Sequence, residues 1–79
     1  MRKQTDDIPV PGNIISIRFD LYDCGRGCRV YCGTRGVVVA MMGNNEYKHL
    51  LMMLTEHGTL ATFAFNFVEN MIYAFEVLL

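Results

Sequence analysis

No apolar stretch in this 79-residue chain reaches the ~20 uninterrupted residues of a membrane-spanning helix, because Glu69, Asn70 and Glu76 break the C-terminal run. The opening MRKQTDDIPVPG places no apolar core behind its basic residues, so it lacks the pattern of a secretory signal and a cytoplasmic location is expected. Charge is also scarce: Asp, Glu, Lys and Arg make up 19% of the chain and the net charge is −1, which gives no reason to expect nucleic acid as a partner. Repeats and low-complexity segments are missing. So is any motif that specifies a reaction, a cofactor or a small-molecule substrate, and the chain reads as a non-enzyme that needs no cofactor and no metal.

What remains is grease. Hydrophobic residues make up 52% of the chain and the mean hydropathy is +0.22. A chain this small buries only roughly 60–65% of its unfolded surface, so that much apolar character overfills one core. The run Cys28–Met42, CRVYCGTRGVVVAMM, is apolar almost everywhere outside its turn. As strands it makes a sheet with two apolar faces, of which one short chain can cover one.

Residues 1–12 carry charges with Pro9, Pro11 and Gly12 and read as a flexible N-terminal arm; residues 13–79 read as a single α+β domain. From Asn13, Ile15, Ile17, Phe19 and Leu21 alternate with Ser16, Arg18 and Asp20, the pattern of a half-buried strand. Gly25 and Gly27 then mark a hairpin with Gly27 at positive φ. Setting Cys24 opposite Cys28 pairs Asp23 with Arg29, Tyr22 with Val30 and Leu21 with Tyr31. A second turn at Gly33–Gly36 returns the chain into Val37–Met42. In this register the inner face holds Ile15, Ile17, Phe19, Leu21, Tyr31, Val38 and Ala40, and the outer face holds Tyr22, Cys28, Val30, Cys32, Val37, Val39 and Met41.

Beyond Gly43 the spacing changes. Asn44 and Asn45 are N-cap residues ahead of Tyr47, Leu50, Leu51 and Leu54, which recur at helical intervals until Gly58. Thr59 opens a second helix with Leu60, Phe63, Phe67, Met71 and Phe75 on one stripe. The rival is a strand hairpin, because Thr62–Phe67 also alternates. The expected fold is a three-stranded antiparallel meander backed by an antiparallel helical pair, with a βββαββ five-stranded sheet and one helix as the alternative.

Cys24, Cys28 and Cys32 have neither zinc-knuckle nor iron–sulfur spacing. On one strand Cys28 and Cys32 would stand ~13 Å apart, too far to share a metal or a disulfide. The simplest reading is buried or interface thiols; a Cys24–Cys28 disulfide and a metal or redox site with His49 or His57 are the rivals. The loops Gly25-Arg26-Gly27 and Gly33-Thr34-Arg35-Gly36 do not run from a strand into a helix, so they are turns and not phosphate loops. Each places an arginine at a tip, and meander topology puts the tips at opposite ends of the sheet. The five methionines beyond Met1 suit adaptable contact surfaces as well as cores.

These features converge on a small protein-binding module, an inhibitor or adaptor of the kind phage and mobile elements encode, that acts by occluding a partner protein. The expected partner-binding residues are Tyr22, Arg26, Val30, Arg35, Val37, Val39 and Met41. The alternatives are a self-associating structural protomer, in which a homodimer consumes the outer face, and a cysteine-dependent metal or redox protein.

Overall fold

In the computed structural model residues 8–79 are described. Seven strands and one short helix follow in the order β1 (Ile14–Ile17), β2 (Leu21–Asp23), β3 (Cys28–Val30), β4 (Arg35–Met42), β5 (His49–Thr55), β6 (Leu60–Phe65), α1 (Val68–Ala74) and β7 (Phe75–Val77). Five of the strands form one antiparallel sheet in the order β6-β5-β4-β1-β7, and β2 and β3 form a separate two-stranded hairpin. The meander backed by a helical pair is therefore incorrect. The βββαββ alternative has the right sheet size and helix number but the wrong order of elements.

The segment Leu50–Leu54 shows why a helical pair was expected. All five residues are apolar, so helical and strand spacing fit equally well. Pairing decides: Leu51 and Met53 are fully buried on the inner face, while Leu50, Met52 and Leu54 lie on the other. Asn44 does accept the N–H groups of Glu46 and Tyr47 at 2.9 and 2.6 Å, as an N-cap would, but the Tyr47 carbonyl bonds back to the Asn44 N–H and closes a turn into β5. Gly58 adopts φ +82° in the β5–β6 turn, so its left-handed conformation serves a hairpin and not a helix end. Of the second expected helix only Val68–Ala74 is helical, and it buries Met71 and Ala74.

The expected long first strand also divides. After Ile17 the chain bends through Arg18 and Phe19 and leaves the large sheet, so β2 and β3 fold beneath it as a second layer. Leu21 and Val30 pack there against the core of Ile15, Ile17, Val38, Leu51, Met53, Phe63, Met71 and Phe75. The hairpin register is one residue off the expected one: Asp23 opposes Cys28, Tyr22 opposes Arg29 and Leu21 opposes Val30. The extra loop residue is accommodated with Gly27 at φ +72° and its N–H bonded to the Asp23 carbonyl at 2.8 Å.

Asp23 explains the shift. It is fully buried, and its Oδ1 accepts the N–H groups of Gly25, Arg26 and, 39 residues away, Thr62, at 3.0, 3.2 and 3.0 Å. Cys24 N–H donates to the Thr62 carbonyl at 2.9 Å. The hairpin is thereby locked to the edge of β6.

Of the expected arm, residues 1–7 lie outside the described residues. Residues 8–12 lie against the domain: Pro9 is buried and Gly12 N–H donates to the Val38 carbonyl at 2.8 Å. No described helix is long and apolar enough to cross a membrane.

Two substitutions test this packing. Asp23→Ala leaves three N–H groups without an acceptor and is expected to lower stability by about 2–4 kcal/mol, while Asp23→Asn keeps one accepting oxygen and loses less. Urea unfolding of both variants checks the order. Gly36 sits so close to β5 that a Cβ there would strike the Leu54 carbonyl oxygen and lie 2.9 Å from the Thr55 Cα. Gly36→Ala is therefore expected to cost about 2–3 kcal/mol or to leave the protein unfolded, since backbone cannot move aside as a side chain can.

Candidate functional site

Strand alternation gives the five-stranded sheet two distinct faces. The inner one is the core. On the other, Ile14 pairs with Val37, Val37 with Leu54 and Leu54 with Leu60, a continuous apolar row across four strands. Val37, Leu54 and Leu60 are 38%, 46% and 45% exposed. The next row joins Ala40, Met52 and Thr62, and the one beyond it Met42, Leu50 and Ala64. The β2–β3 loop borders it at the β6 edge, where Gly25 approaches the Thr62 side chain, and Val37, Leu54 and Leu60 stay open. An apolar patch of this continuity on a monomer marks an interaction site more often than a chance exposure.

One edge of the patch is polar. Glu76 pairs with Ser16 and Ser16 with Arg35. Glu56 stands beside Arg35, its N–H bonded to the Arg35 carbonyl at 2.8 Å and its carboxylate 3.9 Å from the Arg35 Nε. An apolar centre with a charged rim is the anatomy of a protein–protein contact.

The residues expected to bind a partner are divided by the fold. Val37 and Val39 lie on the open face and Arg35 on its rim. Val30 and Met41 pack against the core instead. For Met41 the reason is a bulge: the β4–β5 register shifts between Val38 and Ala40, so one extra residue reverses the alternation and turns Met41 inward opposite Leu51. Tyr22, 65% exposed, projects from the hairpin in the other layer. Leu54, Leu60 and Met52 complete the patch and were not expected, because their segments carried a helical reading. The period-two run Leu50, Met52, Leu54 was the available signal.

Arg26 and Arg35 do not lie at opposite ends. Because the hairpin folds back under the sheet, both flank the β5–β6 turn. Arg26 borders a cleft of about 200 Å³ between the hairpin and that turn, whose walls include Cys28, Thr34, Thr55 and His57. Cys28 and His57 thus share a cleft, but no hydrogen bond joins them among the described residues. His57 Nε2 instead stands 4.0 Å from Glu56. Cys24 borders a different hollow with Leu21, Tyr22 and Tyr47. All three cysteines are free thiols, and no group of three or more His, Cys, Asp or Glu gathers among the described residues. Cys32 Sγ donates to the Arg18 carbonyl at 3.0 Å, a bond that a hydroxyl can replace.

No protein-family model, curated protein or solved structure matches the chain. The functional reading therefore rests on this geometry.

Replacing Cys24, Cys28 and Cys32 together by Ser is expected to retain the fold with a loss of no more than about 1–2 kcal/mol, the greater part from half-buried Cys28. Circular dichroism and urea unfolding check this. Stoichiometric zinc or iron in purified protein, lost together with structure on chelation, would contradict it.

Proposed function

We propose that this chain is a small non-enzymatic module that works by protein–protein contact, using the open face of the five-stranded sheet. The observation that carries the reading is the row Ile14–Val37–Leu54–Leu60, half-buried at Ile14 and exposed at the other three, apolar across four neighbouring strands and bordered by Arg35, Glu56 and Glu76. An inhibitor or an adaptor needs no more than this, a stable domain that delivers one broad surface. The domain is built around that surface without relying on it. The core lies wholly on the other side, sealed by α1 and the β2–β3 hairpin.

Burying such a row contributes on the order of 25 cal/mol per Å², so substitutions at its centre weaken binding far more than they weaken folding. The test combines Val39→Lys with Leu54→Lys. The double variant is expected to keep its circular dichroism spectrum, to unfold within about 1 kcal/mol of the wild type, and to be more soluble. Immobilised in native extract, it is expected to lose the proteins that the wild type retains, its own copies included. Unfolding of the variant would show that this face is core. Retention of the same proteins by variant and wild type would place the contact elsewhere.

A further inference from the structure

We infer that the occupant of the open face is a second copy of this chain, related by a two-fold axis that runs parallel to the strands between β4 and β5. The inference rests on the open face being the contact surface and names what covers it. The apolar row spans β1, β4, β5 and β6, so its centre falls between β4 and β5. A two-fold rotation about an axis placed there exchanges β4 with β5, and β1 with β6.

The consequences are specific in size and in charge. Val37 of one copy faces Leu54 of the other, Ile14 faces Leu60, and Ala40 faces Met52. Toward the charged rim the open face is smaller on β4, with Val37, Val39 and Ala40, than on β5, with Met52 and Leu54, and at the far end Met42 and Leu50 are of similar size. The rotation therefore lays Leu54 over Val37 and Met52 over Ala40, large over small as interdigitation requires, while Ile14–Leu60 and Met42–Leu50 meet as equals. On the rim, Arg35 of each copy faces Glu56 of the other. Both groups are solvent-accessible, with side chains 64% and 42% exposed, and already 3.9 Å apart within one chain, so the dimer closes a square of alternating charges. An axis along the strands also keeps the strands of the two sheets aligned, as sandwiches prefer.

The area fits as well. Four strands at ~4.8 Å and about six residues at ~3.4 Å give a footprint on the order of 400 Å². Side-chain relief makes the accessible surface larger than the footprint, so two copies bury on the order of 1,000 Å² in total, the size at which specific but weak dimers begin. A lone helix, ~10 Å across, would leave about half of the width in water. A broad, flat, self-complementary surface is matched by its own copy.

Sedimentation equilibrium of the 79-residue chain, from low micromolar concentration to about 0.5 mM, tests the pairing with charge reversals on the rim. Wild type is expected to dimerise with a micromolar dissociation constant. Arg35→Glu and Glu56→Arg, each alone, place like charges opposite each other twice and are expected to weaken the dimer at least tenfold. Mixed in equal amounts, the two variants restore opposite charges at both contacts and are expected to associate with each other more tightly than either does with itself. That recovery cannot come from a pair within one chain. Wild type that stays monomeric at about 0.5 mM, or a mixture that associates no better than its components, would overturn the inference. If monomeric wild type still retains some other protein through Leu54 and Val39, only the identity of the occupant is wrong. If nothing is retained either, the contact function fails with it.

Discussion

The Asp23 carboxylate is the constraint on which the rest of this fold depends. Its Oδ1 gathers two N–H groups from its own loop and a third from Thr62 in β6, while Cys24 takes the Thr62 carbonyl. The buried carboxylate is held by three N–H donors on Oδ1 while its Oδ2 has no hydrogen-bond partner among the described residues, and removing the donors, or the side chain, leaves further polar groups stranded in the interior. The bond does two things at once. It holds the β2–β3 hairpin under the sheet, which places Leu21 and Val30 on the core, and it occupies the edge of β6, which would otherwise offer unpaired backbone groups for sheet extension.

With the hairpin and α1 committed to one side, the other side of the sheet is left to solvent. Among the described residues no further element remains to cover it. The open face is thus a consequence of how the cover is allocated. Two backbone features shape it. Gly36 lets β4 and β5 approach closely at one end, and the bulge at Val38–Ala40 turns Met41 into the core while Val39 stays outside, 45% exposed. Charge enters only at the rim, where Arg35 and Glu56 give direction to a surface that is otherwise non-directional.

Strand alternation in Ile14–Ile17 was legible because Ser16 and Arg18 break other periodicities. The hairpin at Gly27 was legible too, since that glycine takes the positive φ its position requires, whereas the positive φ of Gly58 belongs to a strand turn where a helix end was expected. Leu50–Leu54 was not. An uninterrupted apolar run satisfies both periods, and only the partners on either side, β4 and β6, choose between them. The bulge left no local mark, so the facing of Met41 could not be read, and neither could the commitment of Asp23, whose decisive donor is 39 residues away.

The amino-acid sequence by itself determined that this chain carries more apolar surface than one small core can hold, and that some sheet face would be left over, because composition and length do not depend on topology. Which face that is, and which residues share it, only the tertiary structure decided. Row neighbours on a sheet such as Ile14, Val37, Leu54 and Leu60 come from four separate segments, and their adjacency exists only once strand order and register are set.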